Sequence, residues 1–385
     1  MTASSLAQIV GLLEQRYPPS LAEAWDAVGL VCGDPQQPVA KVLFAVDPHP
    51  DVVAEATQWE ADLLLVHHPL LLQAVHSVAA DTPKGRVLHG LVRSGCALYT
   101  AHTNADAAEG GVNDALATTL GLVNTQPLAS GTGGPYDKVV TYVPPDAAEA
   151  VGSAMADAGA GTIGEYTRCT WRVVGDGSFL PGDRARPLIG EPGVLERTPE
   201  ARLEMRLPRA LRQQVLTALV RAHPYEEVAY DVYELAEARH DVGMGRVGDL
   251  AEPTTVGAFA ERIRDRLPRT PLGVRVSGNP ARAVGRVAVC GGAGDRLVQA
   301  AAAAGADVFV TSDLRHHPAL ENLAAGGPAL VDAGHFATEW PWLPVAAQRL
   351  AADAREHGTT VEVRVSSLVT DPWTAVVPSS SKEQL

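Results

Sequence analysis

The sequence predicts an α/β protein of two similar mixed-sheet halves, with an α+β domain inserted between them. Three observations carry this expectation. Short apolar, β-branched runs alternate with runs of helical spacing, the pattern of a sheet that is parallel at least in part. The order of those runs near the N-terminus is replayed near the C-terminus. Between the two copies the chain changes character. The expected bounds are 1–130 for the first half, 131–252 for the insertion, 253–375 for the second half and 376–385 for a frayed tail.

The first half opens on an amphipathic helix whose apolar positions are Leu6, Ile9, Val10, Leu12 and Leu13, stopped by Pro18 and Pro19. KVLFAVD (41–47) reads as a buried strand and PDVVAEATQWEA (50–61) as a helix with proline in its first turn. ADLLLVHHP (61–69) is a second buried strand that ends in His-His-Pro. A helix around Lys84–Ser94 leads to a third strand, CALYTAH (96–102), which also runs into a histidine.

The second half repeats this order. RVAVCGG (286–292) is a strand, DRLVQAAAAAGA (295–306) a helix, ADVFVTSDLRHHP (306–318) a strand leading to another His-His-Pro, and PALVDAGH (328–335) a strand ending on a histidine. The Ala-Asp pairs at 61 and 306 are offset by 245, as are the first strands at 41 and 286. Two halves of common architecture often hold a functional site between them.

The insertion opens with the turn-rich ASGTGGPYDK. VVTYVPP (139–145) is a strand, DAAEAVGSAMADAG (146–159) a helix, and EMRLP (204–208) a strand. A helix near 208–221 and HPYEEVAYDVYEL (223–235) follow. This β-α-β…β-α-β order predicts a small domain of ferredoxin-like type, with 170–200 as surface loop and hairpin.

The 385 residues suit two or three domains, and the composition, 46% hydrophobic and 20% charged, is that of a globular protein. A formal net charge of −14 argues against a surface built to neutralise nucleic-acid phosphates. The arginines at 262, 264, 266, 269, 282 and 286 read as solvated charge. Cys32, Cys96, Cys169 and Cys290 form no CxxC pair, which suits a reduced, cytoplasmic protein. No apolar run approaches the ~20 residues that span a bilayer.

The chemistry concentrates where the strands end. His67 and His68 are adjacent, and at a strand end both imidazoles can turn to one cavity, one for each ion of a dinuclear centre. His102 and Asp106, and again His335 and Glu339, are a histidine and a carboxylate four residues apart, each directly after a buried strand. If a helix begins there, the two side chains share a face about 6 Å apart along the axis. One such pair alone reads as a helix-capping carboxylate; two at corresponding points of a repeat, beside His-His-Pro, point to metal.

His67, His68, Asp106, His335 and Glu339 are therefore the expected ligands of two divalent ions. A nitrogen and oxygen donor set without thiolate suits Zn, Fe, Mn or Co. Glu339, on the longer arm, is the expected bridge, and the ions would activate water for attack on a phosphoryl, amide or amidine centre. His102 is either a proton donor and orienter beside the ligands or a buried histidine bonded to backbone.

His316-His317-Pro318 is expected at the position of His67-His68, which makes Asp313 and His317 candidates for substrate contact. Gly291-Gly292-Ala293-Gly294 follows a strand and opens a helix, so the Gly292 amide is a candidate anion contact, with a tight turn as the alternative. His223-Pro224-Tyr225-Glu226-Glu227 reads as a solvated turn rather than a ligand set.

LAEAWDAVGLVCGDP, VHHPLLL, AHTNADAAEGGVNDALATTLGL, TSDLRHHPALE and GHFATEWP occur in one order, and together they resemble the NIF3-like family. Its members are also described as type 2 GTP cyclohydrolase I-like dinuclear metal proteins. The likeness covers most of 1–130 and 255–370, and HPYEEVAYDVYEL resembles the PII/CutA-like insertion of long bacterial members. It implies a toroidal homohexamer with His67, His68, Asp106, His335 and Glu339 as ligands, Glu339 touching both ions. His316 departs from the family, where an aromatic such as Tyr is common, while His317 matches. The activity implied is metal-dependent hydrolysis of a nucleotide or related small molecule by way of His102 and Glu339. The other reading is a non-enzymatic metal-binding scaffold or regulatory ring, with the chain itself as principal partner.

Overall fold

The computed structural model describes residues 4–130, 136–163, 166–235 and 242–377; the expected join at 131–135 and most of the expected tail, 378–385, lie outside them. The chain divides into two compact units, Met1–Thr132 with His240–Leu385, and Gly133–Arg239. The segment 242–252, assigned to the insertion on sequence, thus lies with the first unit. The reason is pairing: the strand Gly243–Thr255 runs antiparallel to both Leu122–Ser130 and Ala283–Ala293.

The first unit holds two mixed sheets. One orders Glu362–Val365, Lys41–Ala45, Leu63–Val66 and Ala97–Thr100 in parallel, with Gly29–Cys32 antiparallel at the edge. The other places Ala283–Ala293, Val308–Ser312 and Ala329–Asp332 in parallel. Arg275–Ser277 lies antiparallel at one edge, and Gly243–Thr255 and Leu122–Ser130 lie at the other. The repeat is kept in register: Val42 pairs with Leu63 as Val287, 245 positions on, pairs with Val308.

Both faces of each sheet are covered, which is why the strands are continuously apolar rather than alternating. On one face of the first sheet, Val42, Phe44, Leu63 and Leu65 meet Leu6, Ile9 and Leu13 of the helix Leu6–Arg16. On the other face, Leu43, Leu64, Val66 and Leu98 meet Val52, Val53 and Ala56 of Pro50–Trp59 and Leu91 of Pro83–Ser94.

The halves exchange elements. The helix Val112–Leu120 leaves the first sheet and buries Leu116, Ala117 and Leu120 in the core of the second, against Val256, Phe259 and Ile263. The helix Trp342–Glu356 leaves the second sheet and buries Trp342, Leu343, Ala346 and Leu350 in the core of the first. Each is followed by a strand in the sheet its helix has joined, Leu122–Ser130 and Glu362–Val365. The chain therefore crosses between the sheets just after His102 and His335.

The second unit carries an antiparallel sheet in the spatial order Tyr230–Glu234, Tyr136–Val143, Glu196–Pro208, Trp171–Phe179. Helices Ala148–Asp157 and Arg212–Ala222 cover one face through Val151, Met155, Val215 and Leu219. Among the described residues no helix is long and apolar enough to cross a membrane.

Candidate metal centre

Five-residue helices begin where the third strand of each half ends. In the second half, Gly334 takes a left-handed φ of 84° and His335 starts the helix His335–Glu339, so His335 and Glu339 face one another with Nε2 and Oε1 3.0 Å apart. In the first half the helix is Thr103–Ala107, and His102 is the residue before it. The two histidine–carboxylate pairs are therefore displaced by one position. His102 does not share a helical face with Asp106, and its Nδ1 turns instead to Asp26.

All four imidazoles at the strand ends have Nδ1 held by an oxygen. His67 meets the Ala101 carbonyl at 2.8 Å, His68 the Asp47 carboxylate at 2.7 Å, His102 Asp26 at 2.8 Å and His335 Asp313 at 2.6 Å. Such partners fix tautomer and ring orientation and turn every Nε2 the other way. Two groups result whose ligand atoms lie within 4.8 Å of one another: His67, His68 and His102, and His68, His335 and Glu339. Asp106 Oδ1 stands 3.6 Å from His67 Nε2.

The residues fit divalent ions on a test independent of motif. His67 Nε2, Asp106 Oδ1 and Glu339 Oε2 are buried polar atoms without a hydrogen-bond partner. Glu339 Oε2 is 3.1 Å from His68 Nε2 but lacks hydrogen-bond alignment. A lone orphan of this kind is costly, and three in one cluster suit a shared cation. His68 Nε2 and His335 Nε2 also face each other at 3.2 Å, where at most one proton fits.

The electrostatics are strongly coupled. Burial opposes charge on Glu339, but His335, His68 and His67 outweigh it and hold the carboxyl well below its ordinary range. Asp106 moves up, through burial and despite His67. Burial opposes the His68 proton, yet Glu339 and Asp47 raise this imidazole to about 10. Glu339, against the effect of burial, raises His335 to about 11.

The other expected site residues fall differently. Asp313 is bonded to His335, so it orients that imidazole. His316 and His317 are exposed on the first turn of the helix His316–Ala324, their rings 5.3 Å apart, and do not join the cluster. The 245-residue offset places Ser312 and Asp313, not His316 and His317, at the positions of His67 and His68. The second His-His-Pro lies four residues further on, past the strand end.

Gly292 is no anion cradle, because its N–H donates to Thr338 Oγ1 at 3.0 Å and that of Gly291 to Asn113 Oδ1 at 2.9 Å. Its φ is 64°, and a Cβ there would lie 2.4 Å from Glu339 Oε1. Glycine makes room for the carboxylate. The sequence reading missed Asp26 and Asp47; the one available signal was an acid two residues past the strand Lys41–Ala45.

Comparison with known proteins agrees with this architecture. A Mycobacterium leprae protein named GTP cyclohydrolase 1 type 2 homolog is 48% identical over 373 residues, covering 96% of this chain and 95% of its own. A Bacillus subtilis protein of the same name is 39% identical over 367 residues, covering 95% and 97%. The crystal structure of a Bacillus cereus protein related to NIF3 superposes with a TM-score of 0.68 at 39% identity, covering 98% of this chain and all of that one. The family description Duf34/NIF3 (NGG1p interacting factor 3) matches residues 4–372, and the chain belongs to that family.

Proposed function

We propose that the chain is a metal-dependent hydrolase with two divalent ions per subunit, acting on a nucleotide or related small molecule. One observation carries the reading: three buried orphan atoms, on His67, Asp106 and Glu339, converge beside the facing Nε2 atoms of His68 and His335. His67 and Asp106 would hold one ion and His68 and His335 the other, within reach of Glu339. Its Oε1 lies 3.5 Å from His67 Nε2 and its Oε2 3.1 Å from His68 Nε2. Divalent ions supply Lewis acidity and lower the pKa of bound water.

The protein's own groups do the rest. His102, with Nδ1 fixed by Asp26, offers Nε2 for proton transfer at the edge of the cluster. Asp47 and Asp313 keep His68 and His335 aimed inward. The relatives' printed name, GTP cyclohydrolase 1 type 2 homolog, makes GTP the first substrate to test.

The experiment is metal analysis of purified protein and of Glu339→Ala, followed by a screen of GTP and phosphoesters on metal-loaded protein. Two ions per subunit, lost in Glu339→Ala together with turnover, is the expected result. Wild type without stoichiometric metal after supplementation overturns the centre. Stoichiometric metal without turnover of any substrate favours the second reading, a metal-holding scaffold or regulatory ring, which the family description as an interacting factor suggests. The proposed assembly is a homohexamer, and light scattering that finds only monomer excludes it.

A further inference from the structure

The unit Gly133–Arg239 contains a cavity of about 630 Å³, a volume that suits a small organic molecule. It opens on the sheet face opposite the two helices. Tyr142, Arg202 and Val173 stand side by side there on three neighbouring strands. Residues following the strand Trp171–Phe179, among them Pro181, Leu188 and Ile189, provide the facing wall.

The HPYEE motif of 223–227 builds the rest. His223 is buried; its Nε2–H donates to the Tyr142 carbonyl at 2.9 Å, and its Nδ1 accepts the Tyr225 N–H at 3.2 Å. That bond pair consumes both ring nitrogens, so His223 is a structural clamp. The Tyr225 hydroxyl donates to Glu200 Oε1 at 3.0 Å, and the Glu226 carboxylate accepts the Arg186 N–H at 2.8 Å, tying the facing wall down. Burial and Glu200 push the Tyr225 phenol up to about 12, so it remains a donor at every physiological pH.

Glu200 is the fixed polar group in this apolar space. Its second oxygen lies over Gly177, where a Cβ would stand 2.0 Å away. Asp176, Glu226 and Glu227 also line the cavity; among the described lining residues Arg202 is the one cation, its Nη2 paired with Glu204 at 3.0 Å and its buried Nε without a partner. The lining is apolar and aromatic in its body and anionic in its charge.

We propose that this cavity binds a small organic cation with an aromatic or branched apolar body, its ammonium or amidinium group held by Glu200. Charge complementarity to the carboxylates and the faces of Tyr142, Phe179 and Tyr225 both favour such a ligand. The site is separate from the metal centre and stands whether or not the hydrolase reading holds.

The test uses the full-length protein and three probes of one shape: 2-naphthylmethylamine, 2-naphthylmethanol and 2-naphthoate, titrated by calorimetry. The amine binds at least about tenfold more tightly than the alcohol, the scale of a hydrogen bond to a charged group. Glu200→Gln abolishes that preference and leaves alcohol binding intact. Tyr225→Phe, which frees the carboxylate to rotate, weakens amine binding several-fold. Ile189→Trp fills the cavity and abolishes both. Each variant is checked by circular dichroism and thermal unfolding against wild type.

Equal affinity for the three probes, a preference for the carboxylate, or an amine affinity unchanged in Glu200→Gln and Ile189→Trp overturns the proposal. So does a loss of self-association in Ile189→Trp without any change in probe affinity, which would assign the cavity to contact between copies.

Discussion

His68 and His335 are separated by 267 positions and end strands of different sheets, yet their Nε2 atoms face each other at 3.2 Å. This contact follows from the exchange of helices between the halves. Because Val112–Leu120 and Trp342–Glu356 each pack on the other half's sheet, the strand ends carrying the histidines are drawn to one point. Trp342, fully buried, packs its ring 5.5 Å from that of His67 and donates Nε1–H to the Tyr17 hydroxyl at 3.1 Å. The site is thus a product of the crossing rather than of either half.

Metal affinity should rise with pH. Without ions, His68 and His335 share one proton between their Nε2 atoms, held to about 10 to 11, and an ion must displace it. Affinity therefore increases from neutral pH toward that range, by up to about tenfold per pH unit for each proton released. In the ion-free protein the sign is reversed. The raised imidazoles stabilise the fold fully below their ordinary value of 6.5, and that contribution is lost as pH rises through about 10 to 11. Calorimetry in buffers of different ionisation enthalpy measures the released protons; a value of zero would contradict the assignment.

Asp47 and Asp313 should matter to metal without touching it. Each holds the Nδ1–H of a candidate ligand histidine, so Asp47→Asn and Asp313→Asn should each lower affinity about 10–100-fold. Competition with a chromophoric chelator measures this. Asp47 also accepts from Thr370, so a Thr370→Val control separates loss of that bond from loss of the histidine's partner. If both Asn variants bind metal as wild type does, the histidines are oriented by packing alone.

Much of this was legible in sequence because strand ends in a repeat are marked by local residues. His67, His68, Asp106, His335 and Glu339 each follow a buried apolar run, and the 245-residue offset holds in the strand register. The misreading of His316-His317-Pro318 shows the limit: a tripeptide match outweighed the offset, which pointed to Ser312 and Asp313. The exchanged helices were illegible for a different reason. The apolar face of Val112–Leu120 is as suitable for one sheet as for the other, and nothing local says which it covers. Asp26, 76 positions from His102, is a partner only in three dimensions.

Arg246 should be a stability determinant of the exchange. Only 1% exposed, it meets Asp114 through Nε at 2.6 Å and Nη2 at 2.9 Å, and donates to the carbonyls of Ala108, Gly243 and Gly245. It ties the start of Val112–Leu120 to the strand Gly243–Thr255. Arg246→Met strips Asp114 of its charged partner, leaving it the Gly110 N–H, and removes a donor from three carbonyls, and should cost about 3–5 kcal/mol. Urea unfolding measures it. Arg246→Met with Asp114→Asn should recover part of the loss, and a single-variant cost below about 1 kcal/mol would mean water replaces the guanidinium.

Gly292→Ala tests whether backbone room at the end of an interior strand of the second sheet governs the candidate metal centre. The substitution has two penalties. One is the left-handed φ of 64°, about 1–2 kcal/mol for any side chain. The other is crowding, since the new Cβ would meet Glu339 Oε1 at 2.4 Å and His335 Nε2 at 3.1 Å. Gly305 separates them, because its φ is 70° and a Cβ there meets nothing within 4 Å. Both variants should therefore lower the melting temperature by the strain they share, while only Gly292→Ala pushes Glu339 off the cluster and loses bound metal by elemental analysis. Equal metal content in the two would mean that Glu339 can shift without losing its ions, and that Gly292 serves the turn alone.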